Sequence, residues 1–217
     1  MKDFNVIEKF MLGCMKDSAH DKHHIYRVLN AALDIAEYEN DVDKTILVAA
    51  CLLHDIGREK QGTNEGICHA EIGSGMAFEF LLSIGWELNR ANHVKSCIST
   101  HRYRGENVPQ SIEAKILFDA DKLDAAGALG IARTLIYEGQ SAEPLYVMDS
   151  EMNIIEESEG AEISSFFQEY NYKLKNVYMN FYTERATELA LKRRKTAIDF
   201  YNGLYEEITE NYKTRRI

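Results

Sequence analysis

Proline is almost missing from this chain, with two residues in 217, and glycine is modest at 13. So few breaks leave long helices easy to accommodate. Long apolar runs are missing too, and none could span a bilayer. The opening Met1-Lys-Asp-Phe-Asn lacks the apolar core and cleavage site of a secretory leader, so a cytoplasmic location is expected. The four cysteines, Cys14, Cys51, Cys68 and Cys97, form no C-x-x-C pair and read as reduced, mostly buried small residues. Basic excess is also lacking. A net charge of −10 argues against broad binding of a nucleic-acid backbone, while allowing a small anion held by a metal and a few local cations. What remains is an ordinary soluble composition, 45% hydrophobic and 28% charged, with length for one sizeable core.

Apolar periodicity predicts at least six helices and no firm strand. Residues 2–17 place Phe4, Ile7, Met11, Cys14 and Met15 at helical spacing. Asp21 is a plausible N-cap for a helix to about Glu39, and Asp41 or Asp43 for one ending at Gly57. Further helices are expected at about 70–83, 88–100, 111–137, 162–180 and 184–211. Gly127 and Gly130 are weak points in the long one, and Thr183 is the cap between the last two. Residues 58–68 and 101–109 read as loops, and Tyr146-Val-Met148 as a short extended piece. With no repeat and no linker, a single all-α domain over 1–217 is the expectation.

The adjacent pair His54–Asp55 closes the run Thr45–Leu53, which is apolar on every face and therefore reads as a buried helix. A carboxylate at a helix C-terminus opposes the macrodipole, and burying it alone costs several kcal/mol or forces protonation. Imidazole beside carboxylate suggests a metal ion as the remedy. His24 lies one turn before Val28, at the edge of an apolar face made by Ile25, Val28, Leu29, Ala32, Ile35 and Ala36. Alone it would read as a satisfied boundary histidine. His23 falls on the polar face with Arg27, Asn30 and Asp34. A third element, Lys115-Ile-Leu-Phe-Asp-Ala-Asp-Lys-Leu-Asp-Ala-Ala126, sets Asp119, Asp121 and Asp124 in an apolar helical run. Asp121 and Asp124 share a face and Asp119 points elsewhere. Lys115 and Lys122 could pair with some of these acids.

Together, His24-Ile-Tyr-Arg-Val28, Leu52-Leu-His-Asp-Ile-Gly57 and Asp119-Ala-Asp-Lys-Leu-Asp-Ala125 resemble the HD-domain metal-dependent phosphohydrolases. Cys68-His-Ala-Glu-Ile-Gly-Ser74 and Gly127-Ala-Leu-Gly-Ile-Ala-Arg133 look like the small bacterial and archaeal members. The ordered match spans about residues 15–135, and the helices at about 162–211 fit less diagnostically. The resemblance implies a single HD-type helical bundle with His24, His54, Asp55 and Asp121 as metal ligands. Such N/O ligation suits Mn, Fe, Co, Ni, Zn or Mg as the divalent ion. In relatives with two metals, histidines placed like His69 and His101 bind the second ion. Here they could do that or donate to a substrate phosphate.

Some relatives carry an acid directly after His-Asp-Ile-Gly, thought to activate water. This chain has Arg58 there, with Glu59 beside it, so Arg58 could bind phosphate or Asp124 could serve as the base. Asp55, Asp124 and Arg58 are thus the catalytic candidates. Arg27, His69, His101, Lys122 and Arg133 are the substrate-binding ones, with Arg102 and Arg104 in a nearby loop. Arg193-Arg194-Lys195 reads as a solvated helix face, and the C-terminal tyrosines as packing or a homo-oligomer face. The expected activity is hydrolysis of a phosphomonoester or phosphoanhydride of a nucleotide or other small phosphorylated metabolite by metal-activated water. A cyclic or dinucleotide phosphodiesterase and a non-catalytic nucleotide-sensing module are the alternatives.

Overall fold

In a computed structural model describing residues 3–15, 22–58, 68–102, 107–157 and 165–213, the chain is helical. The α-helices among these residues are α1 (Phe4–Cys14), α2 (Lys22–Ala36), α3 (Lys44–Leu53), α4 (His69–Ser83), α5 (Leu88–Ser99), α6 (Ile112–Asp124), α7 (Gly127–Gln140), α8 (Phe166–Tyr172) and α9 (Glu184–Lys213). A single 3-10 turn covers Leu174–Asn176. The expected all-α class is observed. Among the described residues, no helix is long and apolar enough to cross a membrane. The described chain divides into two compact units, one of 1–124 with 182–186 and one of 125–181 with 187–217.

In the first unit α3 is the central helix. Ile46, Leu47, Ala49, Ala50, Cys51, Leu52 and Leu53 are all buried on it. It packs on α1, α2, α4, α5 and α6, while α4 pairs with α5 and α2 with α6. Five neighbours explain why its sequence shows no polar face. Its start is set by Asp43, whose carboxylate accepts from the backbone N–H of Thr45 and Ile46. Asp41, the other candidate, instead takes a left-handed backbone with φ 58°. The helix stops at Leu53, four residues before the expected end at Gly57, and His54 to Gly57 form a turn. His54 keeps a helical backbone as the cap (φ −62°, ψ −32°), and Asp55 follows it in the turn. The expected cap Asp21 lies outside the described residues, as do Glu59 and Arg104.

The predicted helix 111–137 is two helices. Ala126 is extended and Gly127 has φ +75°, a conformation L side chains rarely adopt. In the second unit, Gly127 N–H donates to the Tyr178 hydroxyl at 2.9 Å. Among the described residues, the predicted helix 162–180 is α8 plus the 3-10 turn, and Met148, the end of the expected extended piece, forms an antiparallel bridge with Ile154 beyond it. The tyrosines of this unit pack among aromatics: Tyr170 and Tyr201 stack at 4.3 Å between ring centroids.

Thr183 precedes α9, as expected of the cap, and its hydroxyl donates to Asp119. The buried Asp119 carboxylate accepts from that hydroxyl at 2.7 Å and from the backbone N–H of Thr183 (2.7 Å) and Tyr182 (3.0 Å). A carboxylate at a helix N-terminus answers orphan donors and favours the helix dipole. Asp119 therefore anchors the start of α9 inside the first unit.

Candidate metal centre

Three helices and the chain just after two others bring the sequence candidates together. His24 comes from the first turn of α2, His54 and Asp55 from the turn after α3, His69 from the first residue of α4, and Asp121 from α6. His101 follows the end of α5. His24, His54, Asp55, His69 and His101 are all buried, and Asp121 is half-buried. His23 is exposed, as its position on the polar face predicts.

Asp55 lies at the middle. Its Oδ2 is 3.4 Å from His24 Nε2 and 3.6 Å from His54 Nε2. Its Oδ1 is 3.4 Å from His69 Nε2 and 3.7 Å from His101 Nε2. Asp121 Oδ1 closes the first side, 3.4 Å from His24 Nε2 and 3.8 Å from His54 Nε2. Two ligand clusters result, His24/His54/Asp121 and Asp55/His69/His101, each with its donor atoms within 4.8 Å of one another.

A cation fits this donor set on two observations. His101 Nε2 is buried with no hydrogen-bond partner, and the buried Asp55 Oδ1 has only the long approaches of His69 (3.4 Å) and His101 (3.7 Å), which is costly unless something else satisfies them. His24 Nε2 and His54 Nε2 also face each other at 3.3 Å. His54 Nδ1 is 2.8 Å from the Cys51 carbonyl, which can only accept, so that ring carries its hydrogen on Nδ1 and turns a lone pair inward. Either a proton or a metal must lie between the two nitrogens. Burial opposes charging His24, but its bonds to Asp124 and Asp55 and the nearby Asp121 outweigh it and raise its pKa to about 9. Burial pushes His54 the other way, to about 4. For Asp55, burial is overcome by the surrounding histidines, which hold its carboxyl well below the usual range. Without a metal, then, His24 holds the proton between the two nitrogens, while His54 offers a lone pair and Asp55 is anionic.

Arginines back this core. Arg27 donates to both oxygens of Asp124, at 2.7 and 3.0 Å, and the second of those oxygens also takes His24 Nδ1–H at 2.7 Å. Arg58 donates from Nε to Asp55 Oδ2 at 2.6 Å. Arg102 Nη1 lies 3.2 Å from His69 Nδ1. Lys122 is placed elsewhere, its ammonium 5.5 Å above the Phe118 ring. Arg133 is half-buried on α7, in the second unit.

Gly57 makes the close approach possible. A Cβ there would sit 2.3 Å from the His69 carbonyl oxygen and 2.6 Å from Gly73 N. The turn carrying Asp55 therefore lies directly on the start of α4. The link from Arg27 to Asp124 to His24 did not emerge from the sequence, since Arg27 reads there as a polar-face residue. One signal was available: Arg27 lies three residues after His24, as Asp124 does after Asp121.

A model of the HD domain matches residues 22–126, which holds every residue of both clusters. YpgQ of Bacillus subtilis (strain 168), described as uncharacterized, is 31% identical over 196 residues, spanning 89% of this chain and 86% of that one. The chain belongs to the HD family. Among solved structures, B. subtilis YpgQ in complex with ADP superposes with a TM-score of 0.73 at 27% identity, covering 94% of this chain and 97% of that one. A predicted HD superfamily hydrolase from an uncultured Thermotogales bacterium gives 0.62 at 27% identity, covering 95% and 92%. As an HD-family protein, the chain has the hydrolase superfamily's fold and carries His/Asp clusters able to hold a metal.

Proposed function

We propose that this HD protein is a divalent-metal-dependent phosphohydrolase acting on a nucleotide or a similar small phosphorylated metabolite. The observation that carries the reading is Asp55, a buried carboxylate with imidazole nitrogens facing both of its oxygens. His24, His54, Asp55 and Asp121 would hold the primary ion. When bound, a divalent ion supplies a lowered pKa for water and charge neutralisation at a phosphoryl oxygen. Two neutral imidazoles and two carboxylates balance its charge and leave positions for other ligands.

The chain's own residues account for the rest. Asp124 holds His24 through Nδ1–H and keeps the Nε2 lone pair aimed inward, the arrangement that orients ligand histidines and raises their basicity. With both oxygens engaged by Arg27 and one shared with His24, Asp124 is assigned a positioning role. Arg58 lies beside Asp55 and can exchange that contact for an anionic phosphoryl oxygen. His69 and His101 face the same space from the other side. Water attacks phosphorus, the bond to the leaving oxygen breaks, and the leaving group takes up a proton. A nucleotide is the favoured substrate because the relative YpgQ has been crystallised with ADP.

The test is product analysis. Purified protein with Mn²⁺ is incubated with nucleoside mono-, di- and triphosphates and sugar phosphates, and products are separated by chromatography. Hydrolysis of one class, abolished in Asp55→Ala together with Mn²⁺ binding, is expected. Full activity in Asp55→Ala, or no Mn²⁺ binding by the wild type, would remove the assignment.

A further inference from the structure

Four imidazoles meet around Asp55, and the group that holds each Nδ1 decides what the Nε2 can do. Three of the Nδ1 atoms face oxygens that accept: Asp124 Oδ2 for His24 at 2.7 Å, the Cys51 carbonyl for His54 at 2.8 Å, and the Ile98 carbonyl for His101 at 2.6 Å. Each of these rings carries hydrogen on Nδ1 and, when neutral, presents a lone pair at Nε2. That is the form a metal ligand needs.

His69 is reversed. Its Nδ1 lies 3.2 Å from Arg102 Nη1. A guanidinium has donors and no acceptor, so this Nδ1 must be the acceptor. The ring hydrogen then sits on Nε2, and Nε2 faces Asp55 Oδ1 at 3.4 Å. For Nε2 to ligate a cation, the hydrogen would have to move to Nδ1, where an N–H would point at an N–H of Arg102. Double protonation meets the same clash.

Resting on the metal-centred reading above, we infer that Arg102 fixes His69 with its hydrogen on Nε2, so that the Asp55/His69/His101 cluster takes no second cation while Arg102 stays in place. Arg102 is a positioning residue, acting through His69. The two clusters look alike as sets of donor atoms, but they differ in what their hydrogens allow. The first has two inward lone pairs and two carboxylates. The second has one lone pair from His101, one N–H from His69 and Oδ1 of Asp55, whose other oxygen faces the first cluster. The His69 N–H faces Asp55 Oδ1, so a cation between them meets a hydrogen.

Two measurements test this. Long-range ¹⁵N–¹H imidazole spectra of the metal-free full-length protein report each tautomer directly. Nε2–H is expected for His69, and Nδ1–H for His54 and His101. Equilibrium dialysis and electron paramagnetic resonance with Mn²⁺ then count ions. Wild type and Arg102→Lys, which keeps a cationic donor, should bind a single Mn²⁺ per chain with an uncoupled spectrum. Arg102→Gln can turn its amide oxygen to accept Nδ1–H, and should bind a second ion at least about tenfold more tightly than wild type, with a spin-coupled signal. An Nδ1–H tautomer for His69, two ions in the wild type, or an unchanged count in Arg102→Gln would each overturn the inference. If no variant binds Mn²⁺, the metal-dependent function fails instead, and the tautomer of His69 alone decides the role of Arg102.

Discussion

Replacing Gly57 with alanine tests whether the site depends on the contact between the Asp55 turn and helix α4. The added methyl would lie 2.3 Å from the His69 carbonyl oxygen and 2.6 Å from Gly73 N, where ordinary contact begins near 3.4 Å. Both obstacles are backbone, so no side chain can rotate aside. The turn and the start of α4 must separate by about 1 Å, and overpacking of this kind costs roughly 1–3 kcal/mol. At this chain length that corresponds to a fall in Tm of about 2–12 °C. The displacement also carries His69 away from Asp55. The turn is tied to the buried end of α3, so α4 is the part expected to yield, and Mn²⁺ binding by His24, His54, Asp55 and Asp121 should survive while turnover falls. Calorimetric unfolding, Mn²⁺ titration and phosphate release together read this out. An unchanged Tm with full activity would refute the claim that Gly57 is required for the close approach.

Other perturbations separate the roles of the buried acids. Asp124→Ala leaves His24 Nδ1 and the Arg27 guanidinium without this carboxylate and should weaken Mn²⁺ binding about 10–100-fold by titration calorimetry, with the helical circular dichroism retained. Asp119→Ala removes the acceptor for Tyr182 N–H, Thr183 N–H and the Thr183 hydroxyl, and should cost about 2–4 kcal/mol in urea unfolding. Burial, with Glu143 and Glu169 nearby, raises Glu138 from 4.5 to about 7. A carboxyl whose folded pKa is raised binds its proton more tightly when folded, so its stability contribution is full below 4.5 and is lost as pH rises through 7. Glu138→Gln should therefore gain on wild type between pH 5 and pH 8 by roughly 1–2 kcal/mol in paired denaturation curves. A constant difference across that range would contradict the assignment.

The part of the site legible in the sequence is the part written locally. A run apolar on every face demands burial, and a histidine and an aspartate at its end then demand compensation. The structure places α3 among five helices and His54–Asp55 at its exit. Helix type and the division of Asp119 from Asp121 and Asp124 follow from the 3.6-residue period. The partners of those acids do not. Asp124 meets His24 across 100 residues of chain, and Asp119 meets Thr183 across 64. No local pattern encodes either pairing. The break before Gly127 was visible only as a weak point, because a glycine alone does not reveal a φ of +75°.

The same limit explains the histidines. Residue type marks His24, His54, His69 and His101 as one class, yet ligand and donor differ only in what lies behind the ring. A carbonyl or carboxylate behind Nδ1 leaves a lone pair facing Asp55, and a guanidinium leaves a hydrogen. In this protein the chemistry of the centre is set one contact outside it, by Asp124, Cys51, Ile98 and Arg102. Substitutions at Asp124 and Arg102 should consequently change metal affinity and ion count without removing any residue that faces Asp55.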